Sequence, residues 1–499
     1  MRDLSTPTKV STDTTGPGPG WVGAVLVCGF GLWLLPSVWV VLLAATRTDL
    51  SYSDLLSLLA LTGLSASCLR LTLGFWLLSY GRGLVLSTLL ILLLVAVVLT
   101  FMLSGTPLSR TWLPALFLLV GLGGGGLAAL GGPAETSDEA QRYGLEAASL
   151  AGHLGVVLSL LVVPLVITVP LPVGEPQWLN LSVSHFLGRL PESTPVWLGW
   201  SGLFWAFFAL ITLLLWSLRA PWRQSLAVSD WRRGVSALFA GGLLAVLAGW
   251  LTLPRSLGGV SVWMPVELTL MCVLALCVLL VAGLSTAPQR QRLIGLLSHR
   301  HLWLMSLLWL ASVGTFLGLT LVFPIVTCQL FGETQGYSGV FLYAWMFPLL
   351  AILVRPLGGW AAGRWGGARV AAVSMLGLAL GAMAVFWSLR ALTLSEFPLD
   401  YLMPYLLAMA LLFAASGIGY AALLRALPQV FPPTRRQPAQ MWLVSVATLG
   451  MVYIPLALNR AGGVDGVYQA FLGFALFYGL CALAAWALYL RRHAFIYNP

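Results

Sequence analysis

Charged side chains are scarce in this sequence. Only 8% of its 499 residues are Asp, Glu, Lys or Arg, whereas 59% are hydrophobic. A soluble domain of this size could not bury so much apolar surface, so the composition excludes a soluble globular protein. Apolar runs of about 20 residues recur along the chain, each long enough to cross a hydrocarbon core of about 30 Å. The sequence therefore predicts a polytopic α-helical membrane protein, because a transmembrane barrel would show short alternating segments.

The motifs of several soluble functions are also missing. The six cysteines are scattered through apolar stretches and lack metal-ligand spacing. There is no glycine loop with a lysine, no zinc motif and no nucleophile elbow, and the glycine-rich stretch 121–132 lies inside an apolar span. We therefore expect no enzymatic activity, no metal and no cofactor. The net charge of +10 comes from basic residues in short loops, which the positive-inside rule explains without a nucleic-acid partner.

Hydropathy indicates about fourteen membrane-spanning helices. The candidate spans are 21–46, 52–80, 83–104, 110–132, 143–170, 195–219, 234–253, 263–285, 301–330, 338–363, 368–394, 399–431, 438–460 and 465–490. Arginine-rich loops alternate with loops that carry acids, which predicts that both termini are cytoplasmic. We expect a multi-pass protein of a bacterial inner membrane that works as a monomer in the lipid bilayer.

An internal repeat divides the chain into two like-oriented halves. Sliding the segment "CLRLTLGFWLLSYGRGLVLST" (68–88) forward by 285 residues aligns Arg70 with Arg355 and Gly81 with Gly366. Parallel repeats related by an axis along the membrane normal are one architecture of secondary transporters. The predicted domains are a disordered cytoplasmic tail at 1–20, an N-terminal six-helix half at 21–220, an inserted helix pair with cytoplasmic loops at 221–300 and a C-terminal six-helix half at 301–499.

Arg70 and Arg355 are predicted to lie near the middle of the hydrocarbon. Each precedes the aligned glycine that ends its span by eleven residues, or about 16 Å of helix. A charge at that depth costs at least about 2.5–3.5 kcal/mol on insertion scales, so it marks a transport pathway or a partner. One interpretation is a structural ion pair, for which the sequence offers Asp54, Glu146 and Glu267. The other is a bound anion, because planar guanidinium forks suit small planar oxyanions.

His153 is the third candidate for the site, since it also falls near mid-depth of its span. It is either a packed, hydrogen-bonded residue or a ligand-binding group. Burial and two nearby arginines would disfavour its protonated form, so we expect a neutral imidazole that donates to an anion oxygen.

Glycines are the last feature of the sequence. They let helices approach closely, and we expect them to do so across a moving interface. Generic membrane packing is the alternative explanation. The glycines predicted to serve helix packing or gating are Gly121, Gly123, Gly124, Gly358, Gly359, Gly417 and Gly419.

Two halves with one mid-span arginine each resemble the NarK-type nitrate/nitrite porters of the major facilitator superfamily. "HRHLWLMSLLWLASVGTFLGL" (299–319) is similar to the start of that family's second half, and "VRPLGGWAAGRWGGARV" (354–370) to its arginine-bearing helix and following loop. "GHLGVVLSLLVVPLVI" (152–167) and "SGIGYAALLRALPQVF" (416–431) fall where its two signature helices belong. The resemblance implies that Arg70 and Arg355 grip nitrate or nitrite from opposite halves during alternating access. It also implies that Trp309 and Tyr420 belong to the substrate-binding set with His153.

The sequence departs from the family pattern at several positions. Asparagines of the first signature helix are replaced by Ala148 and His153, and pocket aromatics by Pro36, Leu127 and Val313. The second signature helix is bulkier, with Tyr420 and Leu423, and Gly363 replaces the usual acid of the loop. The predicted function is a nitrate and/or nitrite transporter acting by alternating access. The alternatives are a porter for another small anion, or a non-transporting membrane sensor or accessory subunit with the same fold.

Overall fold

The chain is mainly α-helical, as expected where hydrocarbon offers no partner for free backbone groups. The computed structural model describes residues 19–74, 81–104, 109–126, 150–172, 174–219, 228–261, 265–285, 287–335, 339–460 and 464–491. The predicted tail at 1–20 thus lies almost entirely outside the described residues.

The helices follow the predicted spans. In the first half they are α1 (Pro19–Leu34), α2 (Pro36–Thr46), α3 (Tyr52–Gly74), α4 (Gly81–Ser104), α5 (Leu113–Gly126), α6 (Leu154–Val166) and α7 (Trp200–Arg219). The central segment contains α8 (Val228–Thr252), α9 (Val266–Leu284) and a short α10 (Ala287–Leu297). The second half contains α11 (Arg300–Trp309), α12 (Thr315–Gln335), α13 (Val340–Tyr343), α14 (Met346–Trp365), α15 (Gly367–Leu394), α16 (Leu402–Val430), α17 (Pro433–Ala447), α18 (Gly450–Arg460) and α19 (Val464–Ala485).

Length and composition support a multi-pass membrane protein. Within the described ranges, ten continuous helical segments are long and apolar enough to cross a membrane. Three shorter apolar helices lie at Leu90–Ser104, Leu150–Val166 and Leu238–Thr252. The predicted number of fourteen spans stays a prediction.

Each half packs mainly on itself. In the first half α3 contacts α5 and α4 contacts α7, while in the second half α15 contacts α16 and α19, and α14 contacts α16. The halves meet where α3 contacts α18, α2 contacts α12 and α6 contacts α14. Side-chain hydrogen bonds also cross this boundary, among them Ser67 with Thr448 at 2.8 Å and Asn459 Nδ2 to Ser57 Oγ at 3.0 Å.

The connection between α6 and α7 contains strands that the sequence analysis did not predict. β1 (Gln177–Trp178) pairs antiparallel with β4 (Pro195–Val196), and β2 (Val183–His185) pairs antiparallel with β3 (Gly188–Leu190). Strands of two or three residues carry no readable alternation, so hydropathy could not reveal them. The loop docks on the end of α2, because the Asn180 amide nitrogen donates to the Ala45 carbonyl at 2.7 Å. We call this end of the bundle the strand end.

The inserted helices α8 and α9 pack against α3, and α9 also contacts α18 of the other half. Their connection is tied to α3 at the strand end, where Ser256 donates a hydrogen bond to the Asp54 carboxylate. Further along α3, Cys68 lies close to Cys277 of α9, so their thiols interact. Large apolar side chains such as Phe239 and Met271 remain exposed on the other faces of the pair, as expected where a helix faces lipid.

Candidate functional site

Arg355 is buried within α14 and is held by partners from both halves. Its Nη1 donates to Nδ1 of His153 at 3.2 Å, and its Cζ lies 4.3 Å from the ring centroid of Tyr420. Pro356 follows it directly inside the helix. A proline has no N–H for the carbonyl four residues earlier, so the helix is locally weakened beside the guanidinium. Arg355 is thus a charged group at a contact between the halves.

Arg70 occupies the corresponding place on α3 and is also buried. Its Nε donates to the Gly124 carbonyl at 2.9 Å, and its Cζ lies 4.4 Å from the ring centroid of Trp33. One donor on the backbone of α5 and one aromatic face on α1 therefore orient the guanidinium. A cation over an indole face is stabilised by about 0.5–2 kcal/mol, more when it is desolvated.

His153 lies where the helical segment Leu150–Val166 is interrupted by a turn, immediately before α6. A guanidinium has no acceptor, so His153 Nδ1 must be the acceptor of the Arg355 hydrogen bond. The imidazole in this arrangement is therefore neutral, with its proton on Nε2. The ring packs against Phe30 of α1 and Phe316 of α12, with centroid distances of 4.2 and 5.3 Å. An aromatic from each half thus encloses it.

Trp309 and Tyr420 belong to the same cluster, with ring centroids 5.4 Å apart in an edge-on arrangement. Trp309 ends α11, and the next five residues, Leu310–Gly314, form a π-helical turn. Such turns are rare, and many occur at functional sites. The Tyr420 ring lies under the Arg355 guanidinium, and its hydroxyl lies within electrostatic range of Arg70 in the other half. Tyr420 is therefore near both arginines.

The acids proposed as structural partners of the arginines are bound to other groups or exposed where they are described. Asp54 forms an ion pair with Arg110 at the strand end and accepts hydrogen bonds from Ser51 and Ser256. Glu267 is exposed in the first turn of α9. Glu146 lies outside the described residues, as do Ala148 and Leu127 of the departures from the family pattern. Within the described ranges, no group of three or more His, Cys, Asp or Glu residues could hold a metal ion.

Five of the seven predicted packing glycines are in contacts that exclude a side chain. An ideal Cβ on Gly124 would lie 2.4 Å from the Trp33 ring, and one on Gly417 would lie 2.3 Å from the Ala351 carbonyl oxygen. Comparable clashes, at 2.5–2.8 Å, would occur at Gly121, Gly358 and Gly419. Gly124 is the most informative, because its missing side chain lets Trp33 lie beneath Arg70.

Two of these glycines do not fit the expectation of close packing. An ideal Cβ on Gly123 would be no closer than 3.4 Å to Leu92, an ordinary contact, and one on Gly359 would meet no atom within 4 Å. Gly359 lies one residue beyond Gly358, so it points about 100° away around the helix and leaves the packed face. The turn after α14 does require a glycine, because Gly366 has a φ of +91°.

Three aromatic residues of the site were not predicted from the sequence: Trp33, Phe30 and Phe316. Phe30 and Trp33 are three residues apart on α1, so they share a face, and their ring centroids are 5.8 Å apart. That spacing is the one sequence feature that could have indicated the pair. It does not distinguish a site from ordinary packing, because aromatic pairs are common on any buried face of an apolar helix. The described site is an aromatic-walled, cationic cluster between the halves, with two guanidiniums, one neutral imidazole and no carboxylate bound to either guanidinium.

No protein-family model matches the chain. Among curated proteins, it is 31% identical over 196 residues to "Probable nitrate/nitrite antiporter NarK2" of Thermus thermophilus, covering 39% of this chain and 43% of that protein. It is 25% identical over 221 residues to "Nitrate/nitrite transporter NarU" of Escherichia coli (strain K12), covering 39% and 45%. The chain thus spans less than half the length of the curated relatives that it matches. Over the matched region, the resemblance to nitrate/nitrite transporters noted from the sequence is confirmed.

Solved structures agree on the fold. An auto-inhibited POT family peptide transporter superimposes with a TM-score of 0.62 at 15% identity, covering 96% of this chain and 98% of that one. A D-xylose-proton symporter gives 0.57 at 15% identity, covering 93% and 95%. The predicted major facilitator fold is thereby confirmed. At 15% identity the structural similarity supports the fold and does not indicate the substrate.

Proposed function

We propose that this chain is a secondary transporter that carries nitrate or nitrite by alternating access, with the anion held between Arg70 and Arg355. The observation that carries the proposal is the pair of buried guanidiniums, one from each half, neither bound to a carboxylate among the described residues. Buried charges are costly unless they are paired. An anionic ligand is the partner that compensates both at once.

The chemistry around the arginines favours a small planar anion. Guanidinium forks match planar oxyanions with two parallel hydrogen bonds. The aromatic rings of Trp33, Tyr420 and Phe316 lie over or near the guanidiniums and supply flat walls. Nitrate and nitrite, the substrates named for the curated relatives, meet both requirements.

Alternation follows from the position of the site between the halves. Opening toward the strand end must separate α3 from α18 and break the hydrogen bonds Ser67–Thr448 and Asn459–Ser57. In a low-dielectric interior, two guanidiniums without a counterion repel each other. A bound anion removes this repulsion, so the closed intermediate is favoured when loaded, which promotes exchange over leak.

The cellular placement is part of the same proposal. The alternation of arginine-rich and acid-containing loops supports a bacterial inner-membrane protein with cytoplasmic termini, and the strand end then faces outward. The two halves form one site within a single chain, so the transporter works as a monomer.

Counterflow of labelled nitrate into nitrite-loaded proteoliposomes tests the proposal. Arg70→Lys and Arg355→Lys keep the charge and lose the fork, so each should reduce uptake about tenfold or more while leaving expression intact. Arg364→Lys is the matched control, because Arg364 is exposed in the last turn of the same helix as Arg355. Near-normal counterflow by either site variant would remove the arginine pair from the mechanism.

The same vesicles separate the alternatives. A sensor or accessory subunit would bind nitrate and show no counterflow in the wild type. A porter for another anion would show neither nitrate binding nor nitrate counterflow.

A further inference from the structure

Three buried N–H donors in the candidate site have no acceptor among the described residues: Trp33 Nε1, Trp309 Nε1 and Arg355 Nε. Buried donors in native proteins are almost always paired, and each exception calls for an explanation such as a missing ligand. These three belong to α1, α11 and α14, so both halves contribute unpaired donors to the cluster that contains the arginines.

Trp33 is fixed in place and cannot easily turn its indole elsewhere. It is fully buried, it lies under the Arg70 guanidinium, and its ring rests on Gly124, where no side chain intervenes. The carbonyl of that glycine already accepts the Arg70 Nε hydrogen bond. Trp33 and Arg70 therefore form one rigid unit with an unused indole donor.

Trp309 has a similar position in the other half. It is fully buried and packs edge-on against Tyr420, the same ring that lies under Arg355. A π-helical turn follows it at Leu310–Gly314. Each arginine is thus accompanied by one indole that has a free N–H.

Two acceptors of the site already receive hydrogen bonds from the arginines. The Gly124 carbonyl is bound to Arg70, and Nδ1 of His153 is bound to Arg355. The Tyr420 hydroxyl can donate to a bound anion. Among the described residues, the one buried carboxylate is Asp54, which is bound to Arg110 at the strand end.

We propose that Trp33 and Trp309 determine anion specificity by completing a site that offers only hydrogen-bond donors. This inference rests on the proposed function. Such a site binds monovalent oxyanions that carry no proton, such as nitrate, nitrite and chlorate. It rejects oxyanions that carry an acidic O–H, such as bicarbonate and dihydrogen phosphate, because their hydroxyl would be buried without an acceptor. Unpaired polar groups are a strong basis for discrimination between ligands of similar size.

The test uses the purified full-length protein with Trp33→Phe and Trp309→Phe, which keep an aromatic ring and delete the N–H. Trp39→Phe is the control, because the Trp39 indole donates to Ser201 Oγ at 2.9 Å, within the protein. Nitrate, nitrite, chlorate, bicarbonate and dihydrogen phosphate are compared by thermal shift and by competition with labelled nitrate.

In the wild type, the three proton-free anions should stabilise the protein and the two others should not. Each site variant should lower nitrate affinity about tenfold, whereas Trp39→Phe should leave it unchanged. The melting temperature of the empty site variants should not fall below that of Trp39→Phe, because the deleted donors are unpaired without ligand. If the two indoles were only structural, the empty site variants would melt below Trp39→Phe.

Wild-type nitrate affinity in both site variants would overturn the inference, and so would bicarbonate that competes as well as chlorate. Failure of the proposed function looks different. If chlorate binds and nitrate does not, the assigned substrate is wrong while the donor-only site stands. If no proton-free anion binds, both are wrong.

Discussion

Replacing His153 tests the feature of the site that the structure defines most sharply, the Arg355–His153 hydrogen bond. Nη1 and Nδ1 are 3.2 Å apart in a buried environment. Because arginine only donates, a side chain at position 153 must offer an acceptor toward Arg355. Asparagine can do so with its amide oxygen, and alanine cannot.

The expected size of the effect follows from that geometry. Hydrogen bonds that involve a charged group contribute about 1.5–3 kcal/mol, and a distance of 3.2 Å lies at the long end of the normal range. We therefore expect His153→Ala to weaken nitrate binding by about 1.5 kcal/mol, or about tenfold, because a misdirected Arg355 binds the anion less well. His153→Asn should bind nitrate within about threefold of the wild type, since it keeps an acceptor and a donor.

Uptake with and without an imposed pH gradient is the decisive assay. A neutral imidazole carries no proton through the cycle, so the wild type and His153→Asn should respond to the gradient in the same way. His185→Ala, in the strand-end loop, is the control histidine, because its ring interacts with the Leu187 amide far from the arginines in sequence. If the gradient drives uptake by the wild type and not by His153→Asn, then His153 carries protons and the neutral-donor interpretation is refuted.

Three further predictions concern packing and pH. Gly124→Ala should abolish most nitrate binding, because its Cβ would lie 2.4 Å from the Trp33 ring. Gly359→Ala is the control and should bind nitrate like the wild type, because its Cβ would meet no atom within 4 Å. Equal nitrate binding by the two variants would contradict the described packing. In a variant that lacks the other four cysteines, a mild oxidant such as iodine should take two electrons and two protons from Cys68 and Cys277, leaving one disulfide and no alkylatable thiol. Counterflow should persist, because α9 moves with α3, and its arrest would show that the inserted pair moves separately. Burial and the charges of Arg435 and Arg300 lower the pKa of His299, so the folded protein favours the neutral ring and should lose stability as the pH drops through about 6.5. The melting temperature of His299→Gln should depend less on pH than that of the wild type. An unchanged pH dependence would exclude this histidine as the cause.

The sequence by itself determined the class of protein and predicted the depth of its charges. Apolar length alone requires membrane-spanning helices, because an isolated helix in hydrocarbon satisfies its own backbone wherever it packs. The repeat that aligns Arg70 with Arg355 is equally local, since it needs only residue spacing and helical rise. The turn at Gly366 can also be predicted from the sequence, because a glycine pair between two apolar helices is typical of a chain reversal.

Only the tertiary structure decided which groups meet the arginines. His153 and Arg355 are 202 residues apart, and Arg70 reaches a carbonyl 54 residues away, so no spacing rule predicts either contact. Helical periodicity could place Phe30 and Trp33 on one face of α1, but it could not say that this face turns toward Arg70. The packing of α1 and α3 on α5 decided that, and the packing of α14 on α16 decided which glycines of the second half exclude a side chain. These contacts depend on how whole helices are arranged, because the energy of a buried charge depends on everything that surrounds it and not on its neighbours in the chain.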